Sequence, residues 1–197
     1  MPSFPSKRLT VESSFYLYSV LILLLIPFKL ALAWVLAVLV HELGHFLALK
    51  ACSVPICGIQ IRGFEVIMRT APMTQKQELI CAVAGPVAGL CLIPLARFLP
   101  NTAICAFIQS MYNLLPAFPL DGGRALRCAL CQFLGEESGL RLSKMIGHIV
   151  LILLALLGVY LTWHFQNVAL PFCVTAVLCI KAFTRKISCK ESELIVQ

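Results

Sequence analysis

The chain has 197 residues, 60% hydrophobic and 13% charged, a balance that excludes an ordinary soluble globular domain. Its formal net charge is +7, yet the basic residues lie between apolar stretches and build no compact basic face, which excludes nucleic acid as a partner. The ten cysteines, among them Cys81, Cys91, Cys105, Cys173 and Cys179, are scattered through apolar segments as small hydrophobes and imply no disulfide framework.

The pattern predicts an all-α polytopic membrane protein with about six transmembrane helices, folded as a single domain over residues 1–197. The first span covers about 11–28: Phe15 to Ile26 alone is short, but Val11 to Phe28 is long enough to cross. No small-residue cleavage site comes after Lys7 and Arg8, so this segment is expected to be retained. Leu30 to Ala51 is a second span. Its C-terminal half carries His41, Glu42 and His45, and an ionised side chain at the centre of a membrane helix costs about 2.5–3.5 kcal/mol.

Between Cys52 and Lys76, Pro55, Gly58 and Gly63 punctuate an alternation through Ile59, Ile61, Phe64, Val66 and Met68, which predicts a small β hairpin at the membrane edge. A third span runs from about Gln77 to Phe98 and holds Ala84, Gly85, Pro86, Ala88 and Gly89, read as ordinary close helix packing. Ala103 to Leu134 is interrupted by Asn113, Pro116, Pro119, Asp121, Gly122 and Gly123 and should break there. Irregular backbone at membrane depth is tolerated only where protein covers it or it lines a wet cavity, so the break predicts a site. Leu142 to Trp163 and Val168 to Phe183 supply the fifth and sixth spans, about 142–183. The lone C-x-x-C of Cys128 and Cys131 has no second pair and reads as a helix face.

With the N-terminus cytoplasmic, 14 of the 16 basic residues fall on the inside and only Lys29 and Arg97 outside. The positive-inside rule therefore favours an even number of spans with both termini cytoplasmic. The same orientation sets the His41–His45 end of the second span toward the cytoplasm.

His41, Glu42, Leu43, Gly44 and His45 spell H-E-x-x-H. On a helix, i and i+4 place both imidazoles on one face, about 5–6 Å apart at Cβ, as two zinc ligands require. Glu42 would then be the general base, taking a proton from the attacking water and passing it to the leaving amine. Gly44 leaves room for a peptide. A catalytic zinc takes three protein ligands and keeps one open position. Asp121 is the one acidic residue in the predicted break, and it could equally cap the helix that starts near Arg124. His148 is a rival ligand, while His164 beside Trp163 reads as an interfacial residue.

His41 to His45, followed by Asn113, Leu114, Leu115, Pro116, Ala117, Phe118, Pro119, Leu120, Asp121 and Gly122, resemble the two signature motifs of the site-2 protease family of intramembrane zinc metalloproteases. The flavour is closest to the bacterial stage IV sporulation branch. Ala84, Gly85 and Pro86 resemble that family's A-G-P element, and the resemblance covers about 30–134. It implies a three-helix catalytic core with one zinc per chain on His41, His45 and Asp121, and Glu42 as base. Asn113 would hydrogen-bond the substrate backbone or the developing oxyanion. The implied substrate is a membrane-spanning protein such as a pro-transcription factor or anti-sigma factor, cut in or near its transmembrane segment, and the implied home is a bacterial plasma membrane. The sequence carries neither the nucleotide-sensing (CBS) repeats nor the inserted peptide-binding (PDZ) domain of other branches, so a separate membrane protein is the expected regulator. The stretch Gly58 to Met68 could offer an edge to an extended substrate. Rival readings are a membrane zinc transporter or other zinc-binding protein, and a pseudoprotease that would lack a motif residue.

Overall fold

The computed structural model describes residues 8–62 and 65–164; the expected sixth span, Val168 to Phe183, lies outside them. The elements in chain order are β1 (Arg8–Val11), α1 (Ser13–Leu25), α2 (Phe28–Ala51), β2 (Ile56–Arg62), β3 (Glu65–Thr70), α3 (Gln75–Leu90), a 3-10 turn (Ile93–Arg97), α4 (Pro100–Asn113), α5 (Asp121–Leu134) and α6 (Glu136–His164). The chain divides into two compact units, one ending at Leu114 and one beginning at Leu115.

In the first unit, α2 packs on α3 and α4, and α3 on α4. Pro27, in extended conformation, sets off α2, whose 24 residues span about 36 Å at 1.5 Å per residue. The C-terminal end of α2 closes in a Schellman arrangement: Ser53 takes a left-handed φ of 55°, its N–H bonds Lys50 O at 3.0 Å, and Val54 N–H bonds Leu49 O at 2.9 Å. Leu49 and Val54 are both buried and share a core with Ala48 and Cys81, against which Ile56, Met68 and Met73 also pack. This core lets the sheet come directly after the histidine-bearing helix. The next helix, α3, is opened by a capping box of Thr74 and Gln77, and Gln77 Nε2 also donates to Cys52 O at 3.2 Å, tying the start of α3 to the end of α2.

The expected hairpin is present as β2 and β3, paired antiparallel with Ile59 opposite Met68 and Ile61 opposite Val66. A third strand was not foreseen: β1 pairs parallel to β2, with Leu9 opposite Ile59, in sheet order β1-β2-β3. Next in the chain, α1 is a helix of only 13 residues, shorter than the roughly 20 needed to cross the hydrocarbon core.

In the second unit, residues 115–120 form an irregular turn with a cis peptide bond between Phe118 and Pro119, and α5 and α6 pack together. Gly123 lies against this turn, and a Cβ on it would stand 2.5 Å from the Ala117 carbonyl carbon. A Cβ on Gly139 of α6 would likewise overlap the backbone of Cys131. Cys128 and Cys131 are buried on α5, and Cys131 Sγ contacts Glu136 O at 3.6 Å, as suits a packed helix face.

Among the described residues, three helical segments are long and apolar enough to cross a membrane: Phe28–Ala51, Gln75–Arg97 and Glu136–Tyr160. Their length and apolarity are those of a membrane protein. The break expected within Ala103 to Leu134 is present, and it leaves α4 and α5 with 14 residues each, about 21 Å at the helical rise.

Candidate metal centre

His41 and His45 sit one turn apart on α2. His41 is buried, with 3% of the residue's surface exposed, and His45 is half-buried. Their Nε2 atoms lie 3.2 Å apart, with ring centroids 4.9 Å apart and planes at 80°. His45 Nδ1 lies 2.8 Å from Cys81 O on α3. A carbonyl can only accept, so in the neutral ring Nδ1 carries the proton and the Nε2 lone pair faces His41. Two imidazole nitrogens each about 2.0–2.1 Å from a tetrahedral zinc stand about 3.3 Å apart. The residues present therefore fit the ion, and the Cys81 carbonyl orients the second ring in the way that outer partners of zinc-binding histidines commonly do.

Two glycines make this arrangement possible. A Cβ on Gly85 of α3 would overlap the His45 ring at Nε2, Cε1 and Cδ2, so the small-residue stretch read as plain packing also clears space for a candidate ligand. Gly44, expected to leave room for a peptide, is instead closed over by α3, because a Cβ there would stand 2.5 Å from Ala84 O and 2.6 Å from Ala88 Cβ. The α2 and α3 backbones meet at that point, and no peptide fits. Glu42 lies between the two histidines in sequence and is half-buried.

Asn113 is the last residue of α4 and half-buried. Asp121 opens α5, with Leu120 and not Asp121 at the N-cap position. Its carboxylate side chain is 12% exposed and lies 3.8 Å from the Arg124 guanidinium one turn on. The position in the first turn suits a negative charge, since the helix dipole and free N–H groups stabilise it there. His41 and His45 belong to the first unit and Asp121 to the second, and each is of a residue type that can ligate zinc. His148 does not resemble a ligand: it is exposed on α6, and its Nδ1 contacts Lys144 O of its own helix at 2.6 Å. His164 is exposed in the last turn of α6, its ring 5.8 Å from that of Tyr160.

The fold is similar to that of a solved structure, the site-2 protease of Methanocaldococcus jannaschii, with a TM-score of 0.66 and 24% identity over 89% of each chain. Among sequence relatives, a protein of Methanocaldococcus jannaschii named a zinc metalloprotease is 27% identical over 136 residues, 62% of this chain and 40% of that protein. A Synechocystis protein provisionally named a zinc metalloprotease is 29% identical over 130 residues, 56% of this chain and 34% of that protein. The chain thus spans less than half the length of these two relatives. No family model matches it.

Proposed function

We propose that this chain is a membrane-embedded zinc metalloprotease of the site-2 type, hydrolysing a peptide bond in or near the transmembrane segment of a membrane-bound substrate. The observation that carries the reading is the pair of Nε2 atoms 3.2 Å apart on α2, one ring fixed by the Cys81 carbonyl, with Glu42 next to the first histidine in sequence. The names of the two sequence relatives support it. His41 and His45 supply two imidazole ligands, and Asp121 supplies the third ligand, a carboxylate, to the same ion, one per chain. Zinc, when bound, polarises the scissile carbonyl and the attacking water. Glu42 then takes the water's proton at its carboxylate and delivers it to the leaving amine. Asn113 donates its side-chain amide to the substrate backbone or the oxygen that becomes negative. The substrate pairs as an extended strand along the outer edge of β3, which leaves its peptide bond free of helical hydrogen bonds.

The substrate is a membrane-spanning protein of the pro-transcription-factor or anti-sigma-factor kind, and a separate membrane protein regulates access to the site. The chain resides in a bacterial plasma membrane with six spans and both termini in the cytoplasm, in keeping with the asymmetry of its basic residues. The test is the zinc content of wild type and Glu42→Gln, with cleavage of a site-2-type membrane substrate measured on the same preparations. One zinc in each, and cutting by wild type alone, supports the protease. Equal cutting removes Glu42 as base. Zinc in both with no cutting of any of a panel of membrane substrates favours a transporter or scaffold.

A further inference from the structure

His45 is held from outside the metal centre, because the Cys81 carbonyl takes its Nδ1 proton at 2.8 Å. His41 faces His45 through Nε2, so as a neutral ligand it too carries its proton on Nδ1. A zinc-bound imidazole commonly passes that proton to a carbonyl, a carboxylate or a water. A group suited to that task lies on α4. Gln109 is half-buried, and its Oε1 is buried with no hydrogen-bond partner among the described residues. The large majority of buried acceptors have a donor, so this one calls for one.

Helix register places Gln109 at the level of His41. Ala33 of α2 and Thr102 of α4 line one cavity, where the two helices start side by side, and α2 packs on α4. Eight residues further along each helix, about 12 Å at the helical rise, stand His41 and Ser110. The contacts of α3 give the same level. Gly85 lies against the His45 ring, and a Cβ on Gly89, one turn later, would overlap Ser110 Oγ. Because α3 runs antiparallel to α2, with Gln77 at Cys52 and Gly85 at His45, one turn beyond Gly85 is again the level of His41. Ser110 and its neighbour Gln109 face different helices. Ser110 meets α3, whereas Gln109 comes two turns after Thr102 and continues the stripe of α4 that meets α2. On α2 the matching stripe is Ala33, Ala37 and His41, all buried.

We propose that Gln109 is a positioning residue for His41: one buried water accepts the His41 Nδ1 proton and donates to Gln109 Oε1, as the Cys81 carbonyl serves His45 directly. The carboxamide thereby keeps the His41 Nε2 lone pair aimed at the ion while touching neither ion nor substrate. The inference rests on the metal centre proposed above. An acceptor without a protein donor adds nothing to the fold, so its loss should be felt at the metal and not in folding.

The experiment is zinc affinity by chelator competition in detergent, with thermal unfolding of each metal-free protein, for wild type, His45→Ala, Gln109→Leu, Gln109→Glu and Ser110→Ala. Gln109→Leu should bind zinc about 10–100-fold more weakly, the range for loss of an outer partner of a metal ligand, and its metal-free form should unfold no earlier than wild type. Gln109→Glu keeps an acceptor and should bind at least as tightly as wild type, and Ser110→Ala should bind like wild type. Wild-type affinity in Gln109→Leu overturns the proposal, as does equal weakening in Gln109→Leu and Gln109→Glu. A fall in the metal-free transition of Gln109→Leu would make the residue structural and overturn it too. Zinc binding by wild type that His45→Ala abolishes upholds the metal centre whatever Gln109 does; wild type that binds no zinc removes both.

Discussion

Gly85 of α3 faces the imidazole of His45 so closely that a single added methyl group would occupy the space of the ring. The consequence runs from one missing side chain to ligand geometry: His45 keeps Nδ1 on the Cys81 carbonyl at 2.8 Å and Nε2 toward His41 only because residue 85 has no Cβ. Gly85→Ala should therefore turn the ring away and lower zinc affinity about 10–100-fold, the usual range for disturbing a partner of a metal ligand. Cys81→Ala should leave affinity unchanged, since the acceptor is backbone. Chelator competition on the two purified variants checks both; wild-type affinity in Gly85→Ala would mean that the ring is not held by this contact.

Gly44 holds a second close approach of the same two helices. With Ala84 O and Ala88 Cβ within 2.6 Å of where a Cβ would go, Gly44→Ala overpacks the α2–α3 contact and should destabilise the protein by about 1–3 kcal/mol. Adding Ala88→Gly should recover part of the loss. Leu43→Ala, at a residue 51% exposed, is the control and should change little. Thermal unfolding in detergent distinguishes the three, and an unaltered transition in Gly44→Ala would argue against the tight crossing.

Most of what positions the histidines is legible in the residues themselves. The H-E-x-x-H spacing places two rings on one helix face, and the prolines and glycines from Pro116 to Gly123 give a break between α4 and α5, because local chemistry decides both. Strand β1 is another matter. Arg8–Val11 is four residues long, and it becomes a strand only by pairing with β2 about fifty positions later, a non-local choice that periodicity in so short a run cannot carry. The same pairing accompanies the shortening of the expected first span to α1. Gly44 and Gly85 look alike in sequence as small residues in apolar helices, and only the packed helices reveal that one admits a backbone and the other a ring.

Asn113 ends α4, and its proposed task is to donate a hydrogen bond to an oxygen that gains charge only during the reaction. Loss of such a donor acts on the transition state and not on the metal. Asn113→Leu should leave zinc content at the wild-type level while kcat falls about 10²–10³-fold. Glu42→Gln should also retain zinc, so the pair separates from Gly85→Ala, whose defect begins at the metal. Loss of zinc in Asn113→Leu would reassign the residue to holding the fold around the centre.

The sheet order places β2 in the middle, covered by β1 on one side and β3 on the other. A proline at Ile61 of β2 would therefore disrupt the sheet itself and say little about substrate. The informative positions are on β3, where successive N–H groups point alternately toward β2 and toward the open edge. Of the neighbours Val66 and Ile67, one N–H serves the ladder and the other faces outward, so Val66→Pro and Ile67→Pro should differ. The inward variant should lose thermal stability. The outward one should stay folded and keep zinc but cleave an extended membrane substrate at least tenfold more slowly, because a proline removes one main-chain donor from strand addition. If both folded variants cleave at the wild-type rate, the substrate does not pair with this edge, and the sheet serves only to close the core around Leu49 and Val54.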